Sequence, residues 1–296
     1  MFRFQFRRRL HFQPLKKFEI QPHQYPLIFG ILATAAAVIT YDIYYYKYLR
    51  EASPNKLEQD KFNSFILRKI IKLSPTTSMF RFSALDSDTC PKPSHVILKN
   101  ADCQVARSYT PIYSKYWFDL VVKKYPDGLV SNYIHNLPIG SSVEMRGPIQ
   151  TFKYEPNTVS SVSMLTGGTG VTVMYQLLLE ILSNSLDKTR VSLVTCNKNK
   201  EEMLLDSELQ DLAKQYPNRF VMYRVLEEAP EDWKEGVGYI TEEIIKQRVM
   251  DGSFVVVCGN DGFMNHVSGI KDGESQGRLG GLLKKLNYPE DGVLKL

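Results

Sequence analysis

Two hydrophobic patterns follow one another along this chain and change over near residue 158. From about Phe62 to Asn157, apolar residues come in short runs: FILRKIIKLS, SMFRFSAL, SHVILKN, YWFDLVVKKY and SSVEMRGPIQTF. Ser, Pro, Asp and Gly part them. Several short strands at this spacing, with no long helical pattern, predict a small antiparallel barrel. One helical turn, SNYIHNL from Ser131 to Leu137, follows Gly128. Beyond residue 158 the runs VSSVSMLT, VSLVTC, RFVMYRVL and SFVVVCG are nearly all apolar. They alternate with helix-period stretches: TVMYQLLLEILSN, EEMLLDSELQDLAKQY, TEEIIKQRV and NDGFMNHVSG. Strands apolar on both faces and separated by helices predict a parallel sheet covered on both sides. The expected class is α+β: an antiparallel β-barrel over 62–157, then a Rossmann-like α/β domain over 158–296.

The first 61 residues follow neither pattern. Residues 1–24 form a basic leader, and no Asp, Glu, Lys or Arg occurs from Ile20 to Tyr41. The apolar heart LIFGILATAAAVITY follows Pro26, and a spanning helix needs roughly 20 mostly apolar residues. Tyr25 lies before it and Tyr41, Tyr44, Tyr45, Tyr46 and Tyr48 after it, as a membrane interface favours. Residues 25–48 are therefore expected to be a transmembrane anchor, and the polar stretch 49–61 a solvated linker. An Arg-rich, acid-free leader has transit-peptide chemistry, so the expected address is a mitochondrial membrane, with the endoplasmic reticulum second.

Charge sharpens this division. Of 37 Lys and Arg, six precede the first acid, Glu19, and the remaining 31 face 32 acids. The folded part is close to neutral, which argues against a nucleic-acid-binding body. Four cysteines lack Cys-x-x-Cys spacing, so neither a metal site nor a disulfide framework is expected.

Three strings carry candidate chemistry, in fixed order: RSYTP, LTGGTGVT and VVVCGNDGFM. Arg107 supplies a bidentate donor for a pyrophosphate. Tyr109, two residues on, shares its face and can lie against a flavin's ribityl chain or ring. Thr110 offers a hydroxyl or backbone N–H near the ring. Gly128 to Ser131 opens a helix and makes a second anion site. An exposed strand arginine and an ordinary helix cap would look the same singly. Gly167, Gly168, Thr169 and Gly170 join a strand to a helix, where backbone can approach a second pyrophosphate. Their spacing is not the G-x-G-x-x-G fingerprint. Cys258 ends a strand where a thiol can face a nicotinamide, or it is a buried structural cysteine. Glu227 can accept bonds from a ribose diol and repel a 2′-phosphate, or it is a solvated loop acid. Together the strings point to electrons passing from a nicotinamide to a flavin, with Thr110 and Cys258 nearest the chemistry.

These strings, with FDLVVKKYPDG, EMRGP and VLEEAPEDW, resemble the NADH–cytochrome b5 reductase family within the ferredoxin-reductase-like flavoenzymes. The resemblance implies FAD on Arg107, Tyr109 and Thr110, on Lys123 and Tyr125, and on the loop Gly128, Val130 and Ser131. It places Thr169 and Thr172 near the flavin ring, Cys258, Gly259 and Met264 on the nicotinamide side, and Glu227 at the choice of NADH. The chain departs from that family at Leu129, where Lys is frequent, and at Val173 and Asn260, where Pro is usual. PKPSHVILKN replaces a Gly-Gln-His strand, and the chain ends Leu294-Lys295-Leu296 rather than in an aromatic residue. The implied function is a membrane-anchored oxidoreductase passing electrons from NADH through FAD to a haem protein or another one-electron acceptor. The alternatives are a non-catalytic membrane-bound protein of the same fold, or a reductase of quinones or metal chelates.

Overall fold

The computed structural model describes residues 55–273 and 275–296, together with Thr40. The first domain contains β1 (Asn63–Lys72), β2 (Thr77–Ser83), β3 (Ser94–Lys99), β4 (Ala106–Tyr109), β5 (Pro111–Tyr113), β6 (Trp117–Lys123), α1 (Leu129–Asn136) and β7 (Ser142–Gln150). Its strands pair antiparallel in the order β4-β3-β7-β1-β2-β6-β5. The two edge strands, β4 and β5, are consecutive in sequence and joined by Thr110 alone. One residue cannot cross the roughly 30 Å of six flat strand spacings. The sheet must therefore curl until its edges meet, and the barrel closes at Thr110.

Alternation accounts for the barrel's interior. Phe65 and Leu67, Phe80 and Phe82, Val96 and Leu98, Phe118 and Leu120, and Val143 and Met145 are buried in period-two pairs. Val130 and Ile134, one helical turn apart on α1, join the same core. At Gly147 (φ 141°) a Cβ would come 2.9 Å from the His95 carbonyl, and the β3–β7 register shifts opposite it. A bulge of this kind bends a sheet, as closure requires.

The second domain runs β8 (Ser161–Gly167), α2 (Val171–Ser183), β9 (Arg190–Asn197), α3 (Asp206–Gln215), β10 (Phe220–Leu226), β11 (Gly236–Val237), α4 (Glu242–Arg248), β12 (Phe254–Cys258), α5 (Asp261–Val267), α6 (Gly281–Lys285) and β13 (Val293–Lys295). The strands are parallel, in the order β11-β10-β9-β8-β12-β13. The order of strand addition reverses between β8 and β12, and the crevice beyond such a switch point is where open α/β sheets bind ligands. One face of the sheet packs on α2 through Met174, Leu177, Leu178 and Ile181. The other packs on α4, α5 and α6 through Ile245, Val267 and Leu283.

Val121, Met79 and Ile112 of the barrel belong to the same cluster as α2, so the two domains share a core. Gln176, 2% exposed, ties them: its side chain accepts from the Ser94 N–H at 2.8 Å and donates to the Pro111 carbonyl.

The structure departs from the sequence expectations in three respects. The expected linker 49–61 is described from residue 55, and that part, mostly exposed, is tied to the barrel rather than free of it. Gly147 donates its N–H to the Glu58 carbonyl at 2.8 Å, Arg146 donates to the Gln59 carbonyl at 2.9 Å, and Leu57 packs on the barrel core. The stretch expected to be one helix from Glu201 is broken at Leu205 (φ 57°), and α3 starts at Asp206. The short strands β5, β11 and β13 and the helix α6 had no pattern long enough to announce them. The leader and anchor, 1–24 and 25–48, lie outside the described residues except for Thr40, and among the described residues no helix is long and apolar enough to cross a membrane.

Candidate active site

Two cavities open at the carboxyl ends of β8 and β12. The first, of about 460 Å³, is walled by both domains. On the barrel side it takes Arg107, Tyr109 and Thr110 from the closing seam, Lys123 at the end of β6 and Tyr125 after it, and Gly128 to Ser131 at the start of α1. On the other side it takes Thr169, Gly170, Thr172, Cys258 and Gly259. Residues from five separate stretches of sequence are thus brought into one wall.

Each has a local reason for its place. Arg107 is exposed over the cavity, and its Nη1 donates only to the neighbouring Ala106 carbonyl, at 2.8 Å, with no carboxylate partner among the described residues. Burial pushes the Tyr109 phenol up to about 12, against the pull of Arg107, so it stays neutral. α1 begins at Gly128 without a side-chain cap, which leaves its first N–H groups aimed outward. Ser131 is no such cap. Its hydroxyl accepts from the Tyr125 N–H at 3.2 Å and donates to the Gly128 carbonyl at 3.1 Å, closing the turn. Thr172 donates to the Thr169 carbonyl at 3.0 Å and fixes that residue between the cavities. A Cβ on Gly170 would lie 2.7 Å from the Cys258 carbonyl, so only glycine lets the turn after β8 lie against the end of β12 here. An unpaired guanidinium, bare helix N–H groups and a backbone cradle without Cβ atoms fit the pyrophosphate and ring of a flavin dinucleotide.

The second cavity, of about 550 Å³, lies toward β9 and β10. Gly167, Gly168 and Thr169 floor it, with Cys196, Asn197, Lys198, Glu227, Tyr239, Asn260, Phe263 and His266 around it. Gly168 has φ 58°, which exposes the turn's backbone with nothing within 4 Å of where a Cβ would be. Glu227 is exposed on the cavity wall, and its N–H is held by the Asn197 carbonyl at 3.0 Å. A floor of glycine backbone and an acid at the rim fit a nicotinamide dinucleotide with an unphosphorylated ribose. Replacing Glu227 by Thr should narrow a preference for NADH over NADPH, because the carboxylate would no longer repel a 2′-phosphate. Stopped-flow reduction with both nucleotides checks this, and an unchanged ratio would make Glu227 a bystander.

Met264 is the exception among the expected site residues. It lines neither cavity and is buried with Val267 in the core on the far face of the sheet. Phe263 reaches the nucleotide cavity instead: a Cβ on Gly167 would meet its ring at 2.8 Å, and one on Gly259 at 2.6 Å. The two glycines make the slot in which this ring lies. The i, i+3 spacing of Met264 and Val267 was the available signal, since that pair must face the core and Phe263 must not. Asn260, where the related family carries Pro, caps α5 by accepting from the Phe263 N–H at 2.9 Å.

Cys258 faces the flavin cavity as a thiol, its pKa raised by burial from 9.0 to about 11, with Lys271 pulling the other way. Burial, then Glu227, pushes Cys196 from 9.0 to about 12. Both thiols are favoured neutral in the fold. Their contribution is complete below pH 9 and is lost as pH rises through about 11. Thermal midpoints should therefore fall over that window, and Cys196→Ala should flatten the fall. A slope identical to wild type would contradict it.

Comparison with known proteins agrees with this geometry. The family model described as the oxidoreductase FAD-binding domain matches residues 64–154, and that of the oxidoreductase NAD-binding domain matches 164–269. The chain is 35% identical over 296 residues to NADH-cytochrome b5 reductase 2 of Coccidioides immitis, covering 90% of each protein. It is 37% identical over 251 residues to NADH-cytochrome b5 reductase 1 of Debaryomyces hansenii, covering 81% of this chain and 88% of that one. The crystal structure of the cytochrome b5 reductase domain of Ulva prolifera nitrate reductase superposes with a TM-score of 0.70 at 28% identity, over 81% of this chain and 99% of that one. The chain belongs to the NADH–cytochrome b5 reductase family and is an FAD-containing reductase that draws its electrons from NADH.

Proposed function

We propose that this reductase delivers electrons one at a time to a haem protein or a similar acceptor, while held at a membrane by residues 25–48. The observation that supports it best is the shared wall of the two cavities: Lys123, Thr169 and Asn260 line both. A ligand in one cavity meets a ligand in the other at these residues. FAD, when bound, accepts a hydride and releases single electrons, chemistry that no side chain supplies.

The chain's own residues position and shield. Arg107 and the start of α1 would hold the flavin's phosphates, with Tyr109 and Thr110 beside its ring. Gly167, Gly168 and Glu227 would hold the nicotinamide dinucleotide, with Phe263 as the wall between its nucleotide cavity and the strand ends. Cys258, neutral at physiological pH, offers a soft surface at the junction and takes no proton. The haem acceptor follows from the relatives, whose names give cytochrome b5 as their partner.

Anchoring and address rest on sequence. The uncharged run from Ile20 to Tyr41, its flanking tyrosines and the acid-free leader support a membrane span and, first, a mitochondrial location. One experiment tests the core of the proposal. Protein lacking residues 1–48 should be released from membranes, carry the absorption of FAD, and reduce a haem protein with NADH. A colourless fragment would favour a non-catalytic protein of the same fold. Reduction of quinones or metal chelates with none of haem would replace the acceptor. A fragment that still sediments with carbonate-washed membranes would remove the anchor.

A further inference from the structure

Besides Gln176, a second polar tie crosses between the domains, and it runs through a charged side chain. Glu202 lies in the turn after β9, where Asn199 accepts its N–H through Oδ1 at 3.1 Å. Its carboxylate, 11% exposed, leaves its own domain and, among the described residues, accepts bonds only from the barrel. Thr76 Oγ1 donates at 2.9 Å, Ser74 Oγ at 3.1 Å and Lys123 Nζ at 3.1 Å. Burial pushes this carboxyl up, but Thr76, Lys123 and Ser74 together bring it below its ordinary range, so it is an anion at neutral pH. Glu202 lines the nucleotide cavity, whereas Lys123 lines both cavities.

This arrangement sets a fixed anion against a flexible cation. Two hydroxyls and a capped turn hold Glu202, so its oxygens stay in place whichever way the lysine turns. Lys123 ends a four-carbon stem with three donors, of which one goes to Glu202 and the others have no partner among the described residues. A lysine so tethered presents its remaining N–H groups at the junction instead of wandering into solvent. Restricting a side chain before the ligand arrives removes part of the ordering cost of binding.

We propose that Glu202 is a positioning residue for nicotinamide nucleotide binding, acting by pinning the Lys123 ammonium at the wall common to both cavities. The proposal rests on the reductase reading above. It assigns Glu202 no contact with the reacting atoms, and it separates a nucleotide-binding effect from a merely structural tie.

The test is a double-mutant cycle on purified flavin-containing protein, read by calorimetric titration with NAD⁺ and by KM for NADH. Glu202→Gln keeps an oxygen for Thr76 and Ser74 but removes the charge that holds Lys123. It should weaken NAD⁺ binding by about fivefold or more, the scale of coupling between contacting residues, with flavin content and melting temperature unchanged. In a Lys123→Met background, titrated with FAD in excess because Lys123 also lines the flavin cavity, the same change should cost less than about twofold, since nothing is left to pin. Glu202→Asp should recover part of the loss. Unchanged NAD⁺ affinity in Glu202→Gln, or an equal loss in both backgrounds, would overturn the proposal. So would loss of flavin or of melting temperature in Glu202→Gln. Wild-type protein that retains flavin but binds no NAD⁺ would overturn the underlying reading instead.

Discussion

Arg107→Ala is expected to weaken FAD retention by about ten- to a hundredfold. The guanidinium overhangs the flavin cavity, and among the described residues it donates to the adjacent Ala106 carbonyl alone, so its remaining donors face a ligand. Hydrogen bonds to charged groups contribute roughly 1.5–3 kcal/mol, and about 1.4 kcal/mol is a factor of ten. The side chain is exposed and packs into no core, so the variant should fold. Its flavin should wash out during dialysis and return on addition of excess FAD. Retention equal to wild type would take Arg107 out of the site and leave the start of α1 as the phosphate anchor.

Gly170→Ala should do damage of another kind. The added methyl would lie 2.7 Å from the Cys258 carbonyl oxygen and 2.8 Å from Thr166 Oγ1, both at the junction of β8 and β12. Neither obstacle is the loose end of a long side chain. Overpacking at such a point costs about 1–3 kcal/mol and pushes the turn away from the end of β12. The expected result is a lower melting temperature together with slower flavin reduction by NADH. Gly168→Ala is a comparison for melting temperature alone, since Gly168 floors the nucleotide cavity: there the space is open and only the left-handed backbone is strained, at about 1–2 kcal/mol. If Gly170→Ala melts and reacts like wild type, the close approach of this turn to the end of β12 has no bearing on the site.

What sequence could foretell depended on how far each signal reached. Period-two burial in β1, β2, β3 and β7 and the apolar runs of β6, β8, β9, β10 and β12 are local, and the two-domain order followed from them. The site strings were legible because glycines and a single arginine mark places where backbone or charge must meet a ligand. Contacts across domains were not. Nothing local says that Glu202 reaches Thr76, 126 residues away, or that Gln176 reaches Pro111, 65 residues away. Met264 was misplaced through adjacency: its neighbour Phe263 points to the cavity, and one step along a helix turns a side chain by about 100°. Strands of two or three residues, such as β11 and β13, have too few positions to show any period.

The closure of the barrel at Thr110 has a thermodynamic consequence. β4 and β5 are the short end strands of the sheet, and the residues that bring them together, Arg107, Tyr109 and Thr110, are also those that line the flavin cavity. A molecule filling that cavity therefore bridges the seam at which the barrel closes. Ligand held by the native state and not by the unfolded chain stabilises in proportion to the logarithm of its concentration. Resistance to heat and proteolysis should then track how much FAD the cell supplies, and a shortage of the vitamin from which it is made would lower the amount of this protein as well as its activity.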